Sequence, residues 1–187
     1  MRARLLAAAA LTALVALDGC GYALVGRGVV VDPTIKKIGV PTFANATGKA
    51  ALDQKITQRV IEELLRRGRF DVVQERSGVD ALVEGEILRY DAQPVGFSAG
   101  TAGVNPDAPA PTTTTQASRY AITVTAKIRY GKVGATEPIW SNDAFQFRDE
   151  YEVGSDPASF FDREEQAIDR LATSFARSLV AAMLEAF

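Results

Sequence analysis

The alternation of apolar and polar positions is most regular between residues 50 and 68. In AALDQKITQRVIEELLRR, Leu52, Ile56, Val60 and Leu64 recur four apart, and Ile61 and Leu65 widen the stripe. That spacing lines one side of a 3.6-residue helix, so it predicts an amphipathic helix lying on a core. Gly68, directly after Arg66 and Arg67, is a C-terminal stop. Upstream, Ile38, Val40 and Phe43 mark a short strand broken late by Pro41, which fits an edge or strand-end position. Asn45 and Thr47 of the following turn are candidate N-caps for the helix.

Downstream the period changes from 3.6 to 2. RFDVVQE, residues 69–75, and ALVEGEILRY, residues 81–90, read as strands. The inward face of the second is ambiguous: Val83 and Ile87 point one way, Leu82 and Leu88 the other. In SRYAITVTAKIRYGK, Tyr120, Ile122, Val124, Ala126, Ile128 and Tyr130 share one face, and Arg119, Ala121, Thr123, Thr125, Lys127 and Arg129 the other. IWSNDAFQFRDEY, residues 139–151, sets Phe145, Phe147 and Tyr151 against Gln146, Arg148 and Glu150. Asp156 and Pro157 then open a helix that runs to the C-terminus. Its stripe is Phe161, Ile168, Leu171, Phe175, Leu179 and Met183. Between the strands, residues 92–117 are rich in Pro, Gly, Ala and Thr and hold no Lys or Arg. They predict a long mobile loop, of the kind that serves a partner. The order is strand, helix, three or four strands, helix, and each element has one apolar face. This predicts an α/β (α+β two-layer) fold: one mixed β-sheet with two helices packed on one face and the other face polar.

The first residues have a different pattern. Arg2 and Arg4 precede the apolar run Leu5–Ala16, which has signal-peptide length and is too short to span a bilayer. Leu17-Asp18-Gly19-Cys20 follows, and it resembles the lipobox of bacterial lipoprotein precursors, which are cut before the cysteine and acylated on it. Cys20 is the single cysteine in 187 residues, so it has no intramolecular disulfide partner. Its thiolate is the side chain most easily alkylated near neutral pH. Asp18 departs from the small or apolar residue usual at its position. The expectation is a signal peptide at 1–19, lipidation at Cys20 and one domain from 20 to 187. Gly21, rather than an acidic residue, resembles an outer-membrane sorting signal. The alternatives are a secreted protein cut elsewhere or a core cysteine.

Charge and composition narrow the chemistry. The formal net charge is −2, without the basic excess of a nucleic-acid binder. Histidine is absent. This removes the usual base of Ser-His or Cys-His catalysis and the commonest zinc ligands. A carboxylate site for calcium or magnesium stays open, although no calcium-loop spacing is visible; no metal site and no cofactor are expected. The carboxylates of DREE, residues 162–165, fall in the first turns of a helix, where negative charge is favourable without any catalytic role. Asn45-Ala46-Thr47 matches a glycosylation triplet but reads better as capping. Arg119, Lys127, Arg129 and Lys132 form a run with no acid among them, and three of the four share the polar strand face. One reading is phosphate binding, since Arg grips phosphate bidentately and Lys acts as a point charge. The other is a solvated face whose charges pair with neighbours.

Several short features in order carry a resemblance. They are the lipobox with CGY at 20–22, IGVPTFANAT at 38–47, ITQRVIEELLRRGRFDVV, DALVEGEI at 80–87, Tyr120 opening a strand, Trp140 before a polar strand, and the C-terminal helix. Together they are similar to the LptE family of lipopolysaccharide-assembly lipoproteins. The resemblance implies a non-enzymatic outer-membrane lipoprotein on the periplasmic side. It would plug and help assemble the β-barrel translocon protein LptD and assist insertion of lipopolysaccharide. The first half is also similar to the curli-secretion and LpoB lipoproteins, which implies instead a regulator of a cell-envelope enzyme or secretion pore. The shared strand-helix-strand unit reflects fold before function. The long Tyr120–Tyr130 strand and the aromatic strand after Trp140 favour LptE.

Overall fold

A computed structural model of the chain describes residues 32–101, 113–154 and 159–185. Within them the order is β1 (Lys37–Gly39), β2 (Ala44–Asn45), α1 (Leu52–Arg66), β3 (Asp71–Val73), β4 (Ala81–Thr101), β5 (Thr113–Lys132), β6 (Trp140–Glu152) and α2 (Ser159–Glu185). The strands form one mixed sheet in the order β3-β1-β4-β5-β6, with β2 beside β4. β1, β2 and β3 pair in parallel, whereas β4, β5 and β6 run antiparallel. β1 and β2 follow each other along one margin of β4, α1 connects β2 to β3, and β4, β5 and β6 succeed one another as antiparallel neighbours.

α1 buries Leu52, Ile56, Val60 and Leu64 completely or nearly so, each contributing roughly 1.5–3 kcal/mol of apolar burial. Ile61 packs at the margin of this core. Leu65, expected on the same stripe, is 51% exposed. α2 buries Ile168, Leu171, Phe175, Leu179 and Met183 as expected. Its first stripe residue is Phe160 rather than Phe161. Phe160 packs edge-on against Tyr120 and Tyr151, while Phe161 is 72% exposed. The two helices and the inward faces of the strands share one core, and Lys55 on α1 ties them at the surface through Glu165 and Asp169 of α2.

Pro41 does lie past a strand end, but β1 is internal, between β3 and β4. The strand expected over 69–75 is limited to Asp71–Val73. Asn45 and Thr47 are not N-caps. The N-cap is Ala51, at φ 59, with no side-chain cap bond. Asn45 instead organises the turn. Its carboxamide oxygen accepts from the Thr47 amide and hydroxyl, and its Nδ2 donates to the Lys49 carbonyl. Gly68 stands at φ +65 past the end of α1, the left-handed stop that glycine adopts without a Cβ clash. Asp156 and Pro157 lie outside the described residues.

The ambiguous face of ALVEGEILRY is resolved by a bulge. The β4–β5 register slips between Ile87 and Arg89. Val83 and Ile87 point inward before it, and Tyr90 points inward after it, leaving Leu88 41% exposed. A bulge of one extra residue reverses the alternation that a regular strand would keep.

Of the expected loop 92–117, residues 102–112 lie outside the described residues, and the rest is strand. Residues 92–101 continue β4 and 113–117 belong to β5, paired out to Thr101↔Thr113 with register shifts on either side of Gly96. Composition made this segment look unstructured, yet Thr is a good strand former, and the alignment set up by the central sheet carries on outward.

Candidate functional site

Among the described residues no helix lies on the outer face of the sheet. Across it the side chains form rows. Glu84 on β4 stands opposite Arg129, Glu86 opposite Lys127, Asp91 opposite Thr123 and Arg89 opposite Thr125. On the β6 side Thr123 faces Arg148, Thr125 faces Gln146 and Ala121 faces Glu150. Acids and bases therefore alternate across the face rather than gather by sign.

The four basic residues singled out in the sequence lie along β5, and each has a partner. Arg119 reaches Glu150 at 3.6 Å and Lys127 reaches Asp143 at 3.1 Å. Arg129 donates to the Thr136 carbonyl at 3.2 Å. Lys132, at the strand end, pairs with Asp32 at 2.5 Å, and the bond from that ammonium, with those from Thr34, holds the Asp32 carboxyl well below the usual range. Cys20 lies outside the described residues.

At the opposite end from Lys132, β4 and β5 run on as a two-stranded arm. β6 leaves β5 at Arg119↔Glu152, with one further bond from the Val153 amide to the Ser118 carbonyl. β2 leaves β4 at Ile87. Five rungs beyond these ends, Phe97–Thr101 with Thr113–Ala117, project about 17 Å at the strand rise of about 3.3 Å per residue. Phe97 on this arm is 63% exposed.

Beneath the root of the arm is a polar node that sequence reasoning missed. Glu164, in the second turn of α2, is only 8% exposed. Lys49 Nζ donates to one of its oxygens at 2.7 Å and the Tyr90 hydroxyl to the other at 2.6 Å. The Lys49 ammonium also sits 5.4 Å from the Tyr90 ring centre. Burial pushes the Glu164 carboxyl up, but the bonds from Lys49 and Tyr90 outweigh it and leave it below its usual value. Tyr90 is pushed up by burial and by its bond to Glu164. Tyr151, buried nearby with no hydrogen bond on its hydroxyl, is pushed up to about 12, first by burial and then by the Glu164 charge. The node joins residues 115 and 74 positions apart. DREE held the carboxylate, but nothing local in the sequence pointed to its partners. With both oxygens bonded, Glu164 is a structural clamp between α2, the turn before α1, and β4.

Among the described residues no group of three or more His, Cys, Asp or Glu is placed to hold a metal. No described helix is long and apolar enough to cross a membrane.

The profile of the LptE family, described as lipopolysaccharide-assembly, matches residues 35–183, from the start of β1 through nearly all of α2. The chain belongs to the LptE family. Its members are lipopolysaccharide-assembly proteins, and the mixed sheet with two helices on one face is the form this member takes. No curated protein matches the chain. Among solved structures, a Xanthomonas campestris protein aligns with TM-score 0.49 at 12% identity over 80% of this chain and 84% of its own. Lipoprotein B from Nitrosomonas europaea aligns at 0.46 and 8% identity over 79% and 83%. PelC from Paraburkholderia phytofirmans, a dodecamer, aligns at 0.46 and 13% identity over 84% and 92%. Likeness at this level carries no argument about function.

Proposed function

We propose that this LptE-family protein is a lipoprotein anchored through Cys20 on the periplasmic side of the outer membrane. It plugs and helps assemble an LptD-like β-barrel and assists lipopolysaccharide insertion there, without catalysing a reaction. The observation that carries this reading is the family match over residues 35–183. The geometry is compatible in two respects. The helices cover one face of the sheet and leave a polar face of alternating charge, suited to the polar lumen of a large barrel. The arm adds an exposed projection for contact with a partner. In this reading Arg119, Lys127, Arg129 and Lys132 are the cations that meet lipopolysaccharide phosphates, exchanging their present acidic or carbonyl partners for a more highly charged one.

The test is affinity purification of the native, membrane-extracted protein. A β-barrel much larger than this chain should be retained in stoichiometric amount. Retention of a cell-wall synthase or secretion pore and no such barrel would replace this reading with the LpoB or curli-secretion one.

A further inference from the structure

We propose that the outer margin of β5 over Thr113–Ala117 is a strand-docking site, occupied by an extended, uncharged segment of the barrel partner that places an apolar side chain in the adjoining cleft. The proposal rests on the reading above and specifies how the arm would bind.

Two separate observations meet at this margin. The first is an unused backbone edge. Among the described residues β5 pairs with β4 alone over 113–117, and the β5–β6 ladder ends at Arg119↔Glu152. In an antiparallel ribbon every second residue turns its N–H and C=O outward, a pattern matched along its length only by another extended backbone. A ribbon of two strands is marginal in water, and a third strand stabilises it. Beyond Ile87 the outer margin of β4 is also unpaired among the described residues, carrying Arg89, Asp91 and Pro94 but no charge over Phe97–Thr101, and the cleft adjoins β5 rather than β4. The remaining edges are guarded. β6 carries Asp143, Arg148, Glu150 and Glu152, and β3 is three residues long and opens on Asp71. Charge and brevity are the usual ways to stop an edge from recruiting strands. Residues 113–117, TTTQA, have neither charge nor proline.

The second observation is a cavity. Gln116, Ala117, Tyr120, Val153, Phe160 and Phe161 line an open cleft of 490 Å³ beside this margin. Among the described residues no charged one is in its lining, and Val153 and Gly154, which directly follow β6, line it beside Gln116 and Ala117 of β5. The exposure of Phe161, unexplained by the core, is explained by an occupant of this cleft. Backbone pairing supplies affinity, and a pocket for alternate side chains supplies selectivity. The docked segment comes from outside the partner's own ladder, since a closed barrel leaves no free edge.

The experiment is hydrogen exchange on the full-length lipidated protein, alone and in its purified complex with the barrel. Thr115→Lys and Phe161→Ser are compared with wild type. Amides of residues 113–117 not bonded to β4 should exchange rapidly in the free protein and slow by at least about tenfold in the complex. Both variants, with unchanged melting temperature, should reduce the barrel retained. If wild type and both variants retain the barrel equally and these amides stay unprotected, the docking site is overturned while the barrel reading stands. If wild type retains no barrel, both are overturned. If protection appears in the purified protein alone as concentration and mass rise, the occupant is a second copy and the assignment to the barrel is overturned.

Discussion

Individual contacts explain why particular residues stand in the motifs. Phe43 of IGVPTF packs on Gly85 of VEGEI, and a Cβ added at Gly85 runs into the Phe43 ring. Gly85→Ala should therefore cost about 1–3 kcal/mol by overpacking. In a Phe43→Ala background the same change should cost much less, and denaturant melts of the four proteins in this cycle measure the difference. Asp80 of DALVEGEI accepts from the Lys37 and Lys36 amides, which draws its carboxyl below the usual range and fastens the start of β1 beside β4. Glu164 gives a pH prediction. Its folded value lies below the ordinary 4.5. Its contribution is therefore complete above the unfolded value and drains as pH falls through the folded one. Wild type should lose more stability than Glu164→Gln on acidification from about pH 5 to about pH 3. Equal losses in urea melts at the two pH values would show that the clamp is not charge-dependent. Tyr90→Phe, which leaves one carboxylate oxygen without its donor, should cost about 1–3 kcal/mol.

For the elements, the correction in α2 is the informative case. Phe160 and Phe161 are adjacent, so a helical stripe holds one of them, and the aromatic cluster of Tyr120 and Tyr151 selects Phe160. Further along, Phe175 is fully buried against Phe145 and Phe147. Phe175→Ala should destabilise by about 3–5 kcal/mol, whereas Phe161→Ala should stay within about 0.5 kcal/mol. Thermal melts of the two variants separate core from surface on one helix. A large loss in Phe161→Ala would place it in the core after all.

Predictions for the whole molecule concern its membrane and its ligand. Cys20→Ala should abolish incorporation of a palmitate analogue and leave the folded domain intact, because the described core uses no residue before Ile35. Equal label in wild type and variant would remove the anchor. On the sheet face, Lys127→Gln with Arg129→Gln is the cleaner pair to test. A reversal to Glu would set like charges against Glu86, Asp143 and Glu84, which costs about 0.2–1 kcal/mol at a directly opposed pair. The Gln pair should leave the melting temperature nearly unchanged, since exposed ion pairs contribute about 0–1 kcal/mol. It should weaken lipopolysaccharide binding at low salt, with the difference shrinking as salt is raised. Equal binding at low salt would make this face scaffold.

The chain's own pattern was enough for the helix α1, the stripe of α2 beyond Phe161, both faces of β5 and the two-layer plan, because periods of 3.6 and 2 are local properties that burial reads directly. Family resemblance was legible too, since it rests on short motifs in order. Three features needed the tertiary structure. The bulge at Leu88 depends on the register against β5. The arm depends on the ladder continuing past the point where Pro, Gly and Ala make the composition look unstructured. The Lys49–Glu164–Tyr90 clamp joins three distant segments, and the partners of the basic run come from β6, a turn and Asp32. Periodicity determines which side of an element is buried; pairing register and long-range contacts determine what each buried or charged group meets.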